Sequence, residues 1–199
     1  MTQTKHLTRT RNVLDKSLFF LIDINSTGKK LSDPVVIVAY ESKWPILYVE
    51  EMKSICRVLS NRIRAIEHIG STAVPNLGGK KIIDIMVGVS NLDEATKCLP
   101  PLERIGYKEV TPQMNNEDWF YCLGKRQQSA GYHLHLVKFD SEHWKKHIIF
   151  RDFLRKNPQV SQEYYNLKKE LATKYGVDRS GYTEAKTAFI ESILASAPR

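Results

Sequence analysis

The sequence has few cysteines and no long apolar run, and each absence excludes a class of protein. Its three cysteines, Cys56, Cys98 and Cys122, lie far apart and form no Cys-x-x-Cys pair. This usage argues against a disulfide framework and a thiolate zinc site, and it is typical of a reducing cytoplasm. The apolar run that begins at Leu18 ends at Asp23, so neither a signal-peptide core nor a membrane span is expected. We therefore expect a cytoplasmic protein without a membrane partner.

Internal repeats, low-complexity tracts and a strongly basic central region are also lacking. The 199 residues are 42% hydrophobic, which is enough for one buried core. The formal net charge is +8, but the basic residues near the C-terminus are spaced among acids, as on a solvated helix face. Nucleic acid is therefore the less favoured partner. We expect an N-terminal extension or linker over residues 1–34 and a single domain over 35–199.

Apolar periodicity predicts an α/β chain in which strands come early and helices dominate the C-terminal third. Strands are predicted at 35–39, 65–69, 82–89, 107–110, 119–123 and 132–137. Helices are predicted to begin near Pro45 and after Asn91, and then to cover 142–156, 158–175 and 181–196.

A lone acid lies inside the apolar run 82–89. Asp84 has only apolar or glycine neighbours there, and a buried carboxylate is costly unless a cation or hydrogen-bond donors compensate it. The preceding turn contains Gly70 and Ser71, whose backbone amides and hydroxyl suit a phosphate. An ordinary tight turn is the alternative interpretation. Asp84 is therefore the first residue to explain, and the resemblance described below makes it the candidate catalytic residue. Gly70 and Ser71 are candidate phosphate contacts.

Two histidines alternate along a later strand, so His133 and His135 share one face of it. If that face meets the cleft that holds Asp84, the three side chains form a candidate metal site. Imidazole suits zinc or manganese better than magnesium. His68 is a further candidate for this cluster, whereas Glu67 is expected on the opposite strand face. Two hydrogen-bonded, half-buried histidines are the alternative.

These motifs carry a family resemblance. Gly70-Ser71, followed after twelve residues by Asp84, resembles the signature of the nucleotidyltransferase superfamily, although Met86 stands at that signature's second acid position. More closely, the chain resembles the GrpB-like family of that superfamily. The matching segments, in chain order, are 40–45, 67–77, 80–88, 133–137, 147–155 and 182–190.

The resemblance implies a mixed β-sheet with flanking helices and a C-terminal helical group that closes one side of a cleft. It implies metal-assisted nucleotidyl or phosphoryl transfer, with Asp84 holding a divalent ion, either magnesium or manganese, or zinc if the histidines join it. Lys80, Arg151 and Lys186 are the basic candidates for binding an anionic substrate. Arg151 has an alternative role, since it could form an internal salt bridge next to Asp152.

Met86 favours a second hypothesis, because a thioether does not ligate magnesium. On this hypothesis the protein is a noncatalytic module that binds a nucleotide, a coenzyme-A-like ligand or a protein partner. Members of the resembled family occur joined to dephospho-coenzyme A kinase, which implies a link to coenzyme A metabolism.

Overall fold

Residues 34–110, 117–127 and 130–197 are described by the structure, which is a computed structural model of the chain. The predicted N-terminal extension, apart from Pro34, lies outside these residues and stays a prediction.

One mixed sheet forms the centre of the fold. Its strands are β1 (Ala65–Ile69), β2 (Ile82–Val89), β3 (Lys108–Glu109), β4 (Trp119–Arg126) and β5 (Gly131–Lys138). Their spatial order is β1-β2-β5-β4-β3. The central strands β2 and β5 run parallel, and the other neighbours run antiparallel. The α/β prediction is confirmed, and the central position of β2 explains why its sequence is apolar on both faces.

Within the described residues six α-helices flank the sheet, and side-chain caps begin two of them where the sequence predicts. Asn91 Oδ1 accepts a hydrogen bond from Glu94 N at 3.0 Å, and Ser141 Oγ accepts one from Trp144 N at 3.2 Å. The helices are α1 (Trp44–Leu59), α2 (Leu92–Arg104), α3 (Glu142–Lys156), α4 (Pro158–Tyr175), α5 (Arg179–Ala185) and α6 (Thr187–Ser196).

The helices form a layer on each side of the sheet. Helices α1 and α2 pack on the face that carries Ile83, Ile85 and Leu134. On the other face Trp144 of α3 packs on Met86, and α3, α4 and α6 share an apolar cluster beside it. None of the described helices is long and apolar enough to cross a membrane.

Two predicted elements differ in the structure. Residues 35–39 form no strand, because their pairing is limited to a bridge between Val38 and Gly79, and Val35 N instead bonds to Gly176 O at 3.0 Å. The last predicted helix is divided into α5 and α6 at Lys186. It also starts earlier than predicted, because Asp178 caps it by accepting a bond from Gly181 N at 3.0 Å.

Candidate functional site

A pocket of about 130 Å³ lies between the Asp84 face of the sheet and the C-terminal helices. We call it the central pocket. Its wall is apolar apart from a ring of charged and polar side chains. The titratable or hydroxyl-bearing residues of that wall are Ser71, Lys80, Asp84, His133, His135, His147, Arg151, Tyr164, Lys168, Tyr182 and Lys186. Apart from His68, every predicted site residue, including Gly70, lines this pocket.

Register explains why Asp84 meets the two histidines. Because β2 and β5 pair in parallel, Asp84 lies opposite His133, and Met86 lies opposite His135. Asp84 Oδ1 is 3.6 Å from His133 Nδ1 and 3.9 Å from His135 Nε2. This oxygen is buried and makes no hydrogen bond to the part of the chain that the structure describes. Burial raises the pKa of the Asp84 carboxyl, but the two imidazoles outweigh that effect and hold the pKa below its usual range.

A third imidazole approaches this cluster from α3. His147 Nδ1 lies 2.9 Å from His143 O, and a carbonyl can only accept, so Nδ1 carries the proton and Nε2 is left as an acceptor. Burial lowers the pKa of His147 to about 4. His135 is 2% exposed, and within the described ranges neither of its ring nitrogens has a hydrogen-bond partner.

Imidazole nitrogens and a carboxylate oxygen suit a borderline metal ion such as zinc, but the distances between these donor atoms are long for a shared ion. Bonds of about 2.1 Å in a tetrahedral site place neighbouring ligand atoms about 3.4 Å apart, which is less than both distances from Asp84 Oδ1. Among the described residues, no group of three or more His, Cys, Asp or Glu side chains is placed to hold a metal ion. The metal site at Asp84, His133 and His135 therefore stays a prediction.

Position 86 contributes packing only. Met86 points from the same strand face as Asp84, yet it is 0% exposed and lies in an apolar cluster with Trp119 and Trp144. Helix α3 covers this part of the sheet, so a carboxylate at position 86 would not reach the pocket.

Glu67 and His68 are placed opposite to the prediction. β1 pairs antiparallel with β2, and His68 lies opposite Ile85 while Glu67 lies opposite Met86. Since directly paired residues share a face, His68 lies under α1, where its ring stacks on Tyr48 at 4.5 Å. Glu67 lies on the pocket side of the sheet.

Arg151 has a structural role. The side chain is 7% exposed, and its Nη1 donates to Glu67 Oε2 at 2.6 Å and to His68 O at 3.0 Å. Its Nε donates to Asp152 Oδ1 at 2.8 Å. Arg151 lines the pocket but joins α3 to β1, which supports the structural alternative.

Sequence reasoning missed Lys168, which is 2% exposed in the wall of the pocket. Its Nζ lies 2.8 Å from Ser71 Oγ and also donates to Gly78 O. Burial lowers its pKa well below the usual range, and the ammonium groups of Lys186 and Lys80 lower it further, against the opposing effect of Asp84. The available signal was its spacing, because Lys168 shares the buried face of α4 with Tyr164 and Leu171.

The Gly70 backbone fits closely against the acid. Gly70 has a φ of +69°, and a Cβ built there would overlap Asp84 Oδ2. Both the conformation and the contact require glycine. No phosphate is needed to explain the glycine at this position.

A family model, a sequence relative and a solved structure all indicate the same family for this chain. The GrpB protein family matches residues 34–196. The chain is 34% identical over 163 residues to the glutamate-rich protein GrpB of Alkalihalophilus pseudofirmus, covering 80% of this chain and 94% of that protein. It is similar to the crystal structure of conserved protein GrpB from Enterococcus faecalis, with a TM-score of 0.70, 32% identity, and 79% and 94% of the two chains covered. A dephospho-CoA kinase of Mycobacterium leprae is 25% identical over 168 residues, which are 71% of this chain and 40% of the kinase.

Proposed function

The chain belongs to the GrpB family, and from its central pocket we propose that it binds a small ligand carrying phosphate or a similar multiply charged anion. The observation that carries this proposal is the positive charge of the lysine side chains in the pocket wall. Lys80 and Lys186 come from separate parts of the chain and line one pocket beside Lys168, with Asp84 as the carboxylate of the described wall. The lysines are close enough that Lys80 and Lys186 depress the pKa of Lys168. An anion would relieve that repulsion.

The apolar part of the wall supports a ligand larger than phosphate. Trp119, Phe150 and Tyr164 line the pocket beside the charged groups, and aromatic faces suit a base or another flat ring. Nucleotides and coenzyme-A-like molecules combine such groups with phosphate. The three cysteines that the structure describes are free thiols, which fits the cytoplasm, where these ligands occur.

Calorimetry with pyrophosphate, ATP and coenzyme A tests the binding proposal. Lys186→Met is expected to weaken binding about 10- to 100-fold, because a hydrogen bond to a charged group contributes about 1.5–3 kcal/mol. Lys174→Met is the matched control, since Lys186 lies 4.4 Å from the Tyr182 ring and the exposed Lys174 lies 5.5 Å from the Tyr175 ring. Equal affinities for both variants would contradict the proposal, as would no binding by the unmodified protein.

Metal-assisted nucleotidyl or phosphoryl transfer is the second candidate. Its supporting observation is Asp84 Oδ1, which is buried and lacks a hydrogen-bond partner in the described part of the chain while facing two imidazoles. Asp84, with His133 and His135, would hold the ion, magnesium or manganese or else zinc. The ion would supply Lewis-acid stabilisation of a phosphoryl oxygen, while Lys80 and Lys186 would orient the phosphates.

The Asp84→Asn variant distinguishes metal-assisted transfer from ligand binding without a metal. The change keeps the size of the side chain and removes its charge, so manganese or zinc binding should fall sharply in calorimetry while the fold is retained. Asp140→Asn is the control, because Asp140 is exposed outside the pocket and its φ of +60° suits asparagine. Nucleotide binding that survives a chelator would favour the binding module. Equal metal binding by the unmodified and Asp84→Asn proteins would contradict a metal role.

A further inference from the structure

Ser71 and Lys168 form a side-chain pair in the wall of the central pocket. Ser71 Oγ and Lys168 Nζ are 2.8 Å apart although the residues are 97 positions apart in sequence. Both side chains line the central pocket, and Lys168 is 2% exposed. A second contact, from Nζ to Gly78 O, fixes the orientation of the amine. A nucleophile bonded to a base that is oriented by a third group is the general arrangement of covalent catalysis.

We propose that Ser71 is a nucleophile and Lys168 its general base, and that together they cleave a carboxylic ester or thioester bearing an anionic group. Serine–lysine pairs replace the serine–histidine pair in some acyl-transfer enzymes. The anionic group of the substrate rests on the proposed function, because Lys80 and Lys186 would hold it. The assignment of the serine–lysine pair does not depend on the proposed function, because it rests on the contact between the two side chains.

The surroundings of Lys168 favour the neutral amine that this role needs. An ordinary lysine is charged at neutral pH and cannot accept a proton. Burial lowers the pKa of Lys168, Lys186 and Lys80 lower it further, and Asp84 acts in the opposite direction. A neutral amine can donate to Gly78 O and accept the Ser71 hydroxyl proton at the same time.

The reaction balances without any cofactor. Ser71 Oγ bonds to the carbonyl carbon as its proton passes to Lys168 Nζ, and that proton then goes to the departing alkoxide or thiolate. Water next attacks the acyl-serine ester and gives a proton to Lys168, which returns it to Ser71 Oγ as the acid leaves. The products are a carboxylic acid and an alcohol or thiol.

Labelling with a fluorophosphonate, followed by intact-mass measurement and peptide mapping, tests the pair. We expect one adduct, and we expect it on Ser71. Ser71→Ala should abolish it. Lys168→Met should slow it about 100-fold or more, since general bases contribute about 10²–10⁴. Lys169→Met is the control, because it removes an exposed lysine from the same helix, and it should label at the original rate.

The other possible outcomes of the labelling experiment also support or overturn the serine–lysine proposal. No adduct on the unmodified protein, or an adduct on another residue, overturns the proposal, and so does undiminished labelling of Lys168→Met. If Lys168→Met unfolds, the Ser71→Ala result and the mapped site decide instead. A protein that binds pyrophosphate but is not labelled retains the phosphate proposal and loses this one. Labelling without pyrophosphate binding would retain the serine–lysine pair and contradict the phosphate proposal.

Faster hydrolysis of p-nitrophenyl hemisuccinate than of p-nitrophenyl acetate would support a substrate with an anionic group. Faster hydrolysis of the acetate would overturn that choice of substrate.

Discussion

At the scale of single residues, Asp84 and Met86 show how two side chains on one strand face acquire different environments. Asp84 lies at the pocket, where imidazoles and lysines surround it. Met86 is two residues further along β2 and is covered by Trp144 of α3. The carboxylate can therefore act on a ligand, whereas position 86 has become part of the core.

Met86→Asp is expected to destabilise the protein by about 3–5 kcal/mol, because it buries a charge without a partner. Urea unfolding measures the loss, and Met86→Leu is the volume-conserving control, expected to cost less than about 1.5 kcal/mol. Tighter magnesium binding by a stable Met86→Asp variant would show that position 86 faces the pocket.

His68 should make stability depend on pH. Burial under α1 lowers its pKa to about 4, below the usual value of about 6.5, so the unfolded chain takes up the proton first as the pH falls. The stabilisation is thus complete above pH 6.5 and is lost as the pH falls from 6.5 to about 4. His68→Phe retains a ring against Tyr48. Between pH 7 and 5 the free energy of unfolding of His68→Phe should fall by about 2 kcal/mol less than that of the unmodified protein, as measured by urea unfolding. Parallel pH profiles would contradict this assignment.

At the scale of elements, the turn between β1 and β2 holds the site together. Gly70 has a left-handed conformation and contacts Asp84, Ser71 follows it, and Gly79 packs against Ser71. A Cβ at Gly79 would lie 2.8 Å from Ser71 Cβ. The two strands and the turn therefore fix the acid and the hydroxyl as one unit.

Gly70→Ala should cost more than Gly176→Ala, although both glycines have positive φ. Gly176 has a φ of +52° with nothing within 4 Å of a built Cβ, so its substitution carries mainly the backbone cost of about 1–2 kcal/mol. At Gly70 the added methyl group also collides with Asp84, and the overlap adds about 1–3 kcal/mol. Urea unfolding of both variants measures the difference. Equal losses would mean that Asp84 moves aside freely.

Elements with strong local signals were predictable, and long-range pairs were not. The run 82–89 and the capped helices after Asn91 and Ser141 agree with the structure. The segment 35–39 has strand-like residues but too few pairing partners, which local sequence cannot show. Asp84 and the His133–His135 pair were found because each breaks a local pattern. The contact of Lys168 with Ser71 depends on how α4 packs on the sheet, so the sequence did not predict it.

At the scale of the whole molecule, the central pocket exists only because the C-terminal helices dock on one face of the sheet. The docking combines apolar and polar contacts. Leu154 and Ile190 pack with Val74 and Leu77 of the segment before β2, and Arg151 joins α3 to β1. The pocket wall therefore depends on contacts between parts of the chain that are far apart in sequence.

Arg151→Met should weaken this docking by about 2–4 kcal/mol. The change removes a buried ion pair and a bond to His68 O, but the cost lies toward the lower end because Glu67 is 37% exposed and can be solvated. Arg155→Met is the matched control from the same helix. Arg155 is 39% exposed and donates to Ala73 O at 3.0 Å, so its loss should cost about 0.5–1.5 kcal/mol. Urea unfolding gives both values, and hydrogen exchange should show faster opening of α3 in Arg151→Met alone. An Arg151→Met protein as stable as Arg155→Met would mean that the apolar cluster carries the docking, and it would contradict the structural role of Arg151.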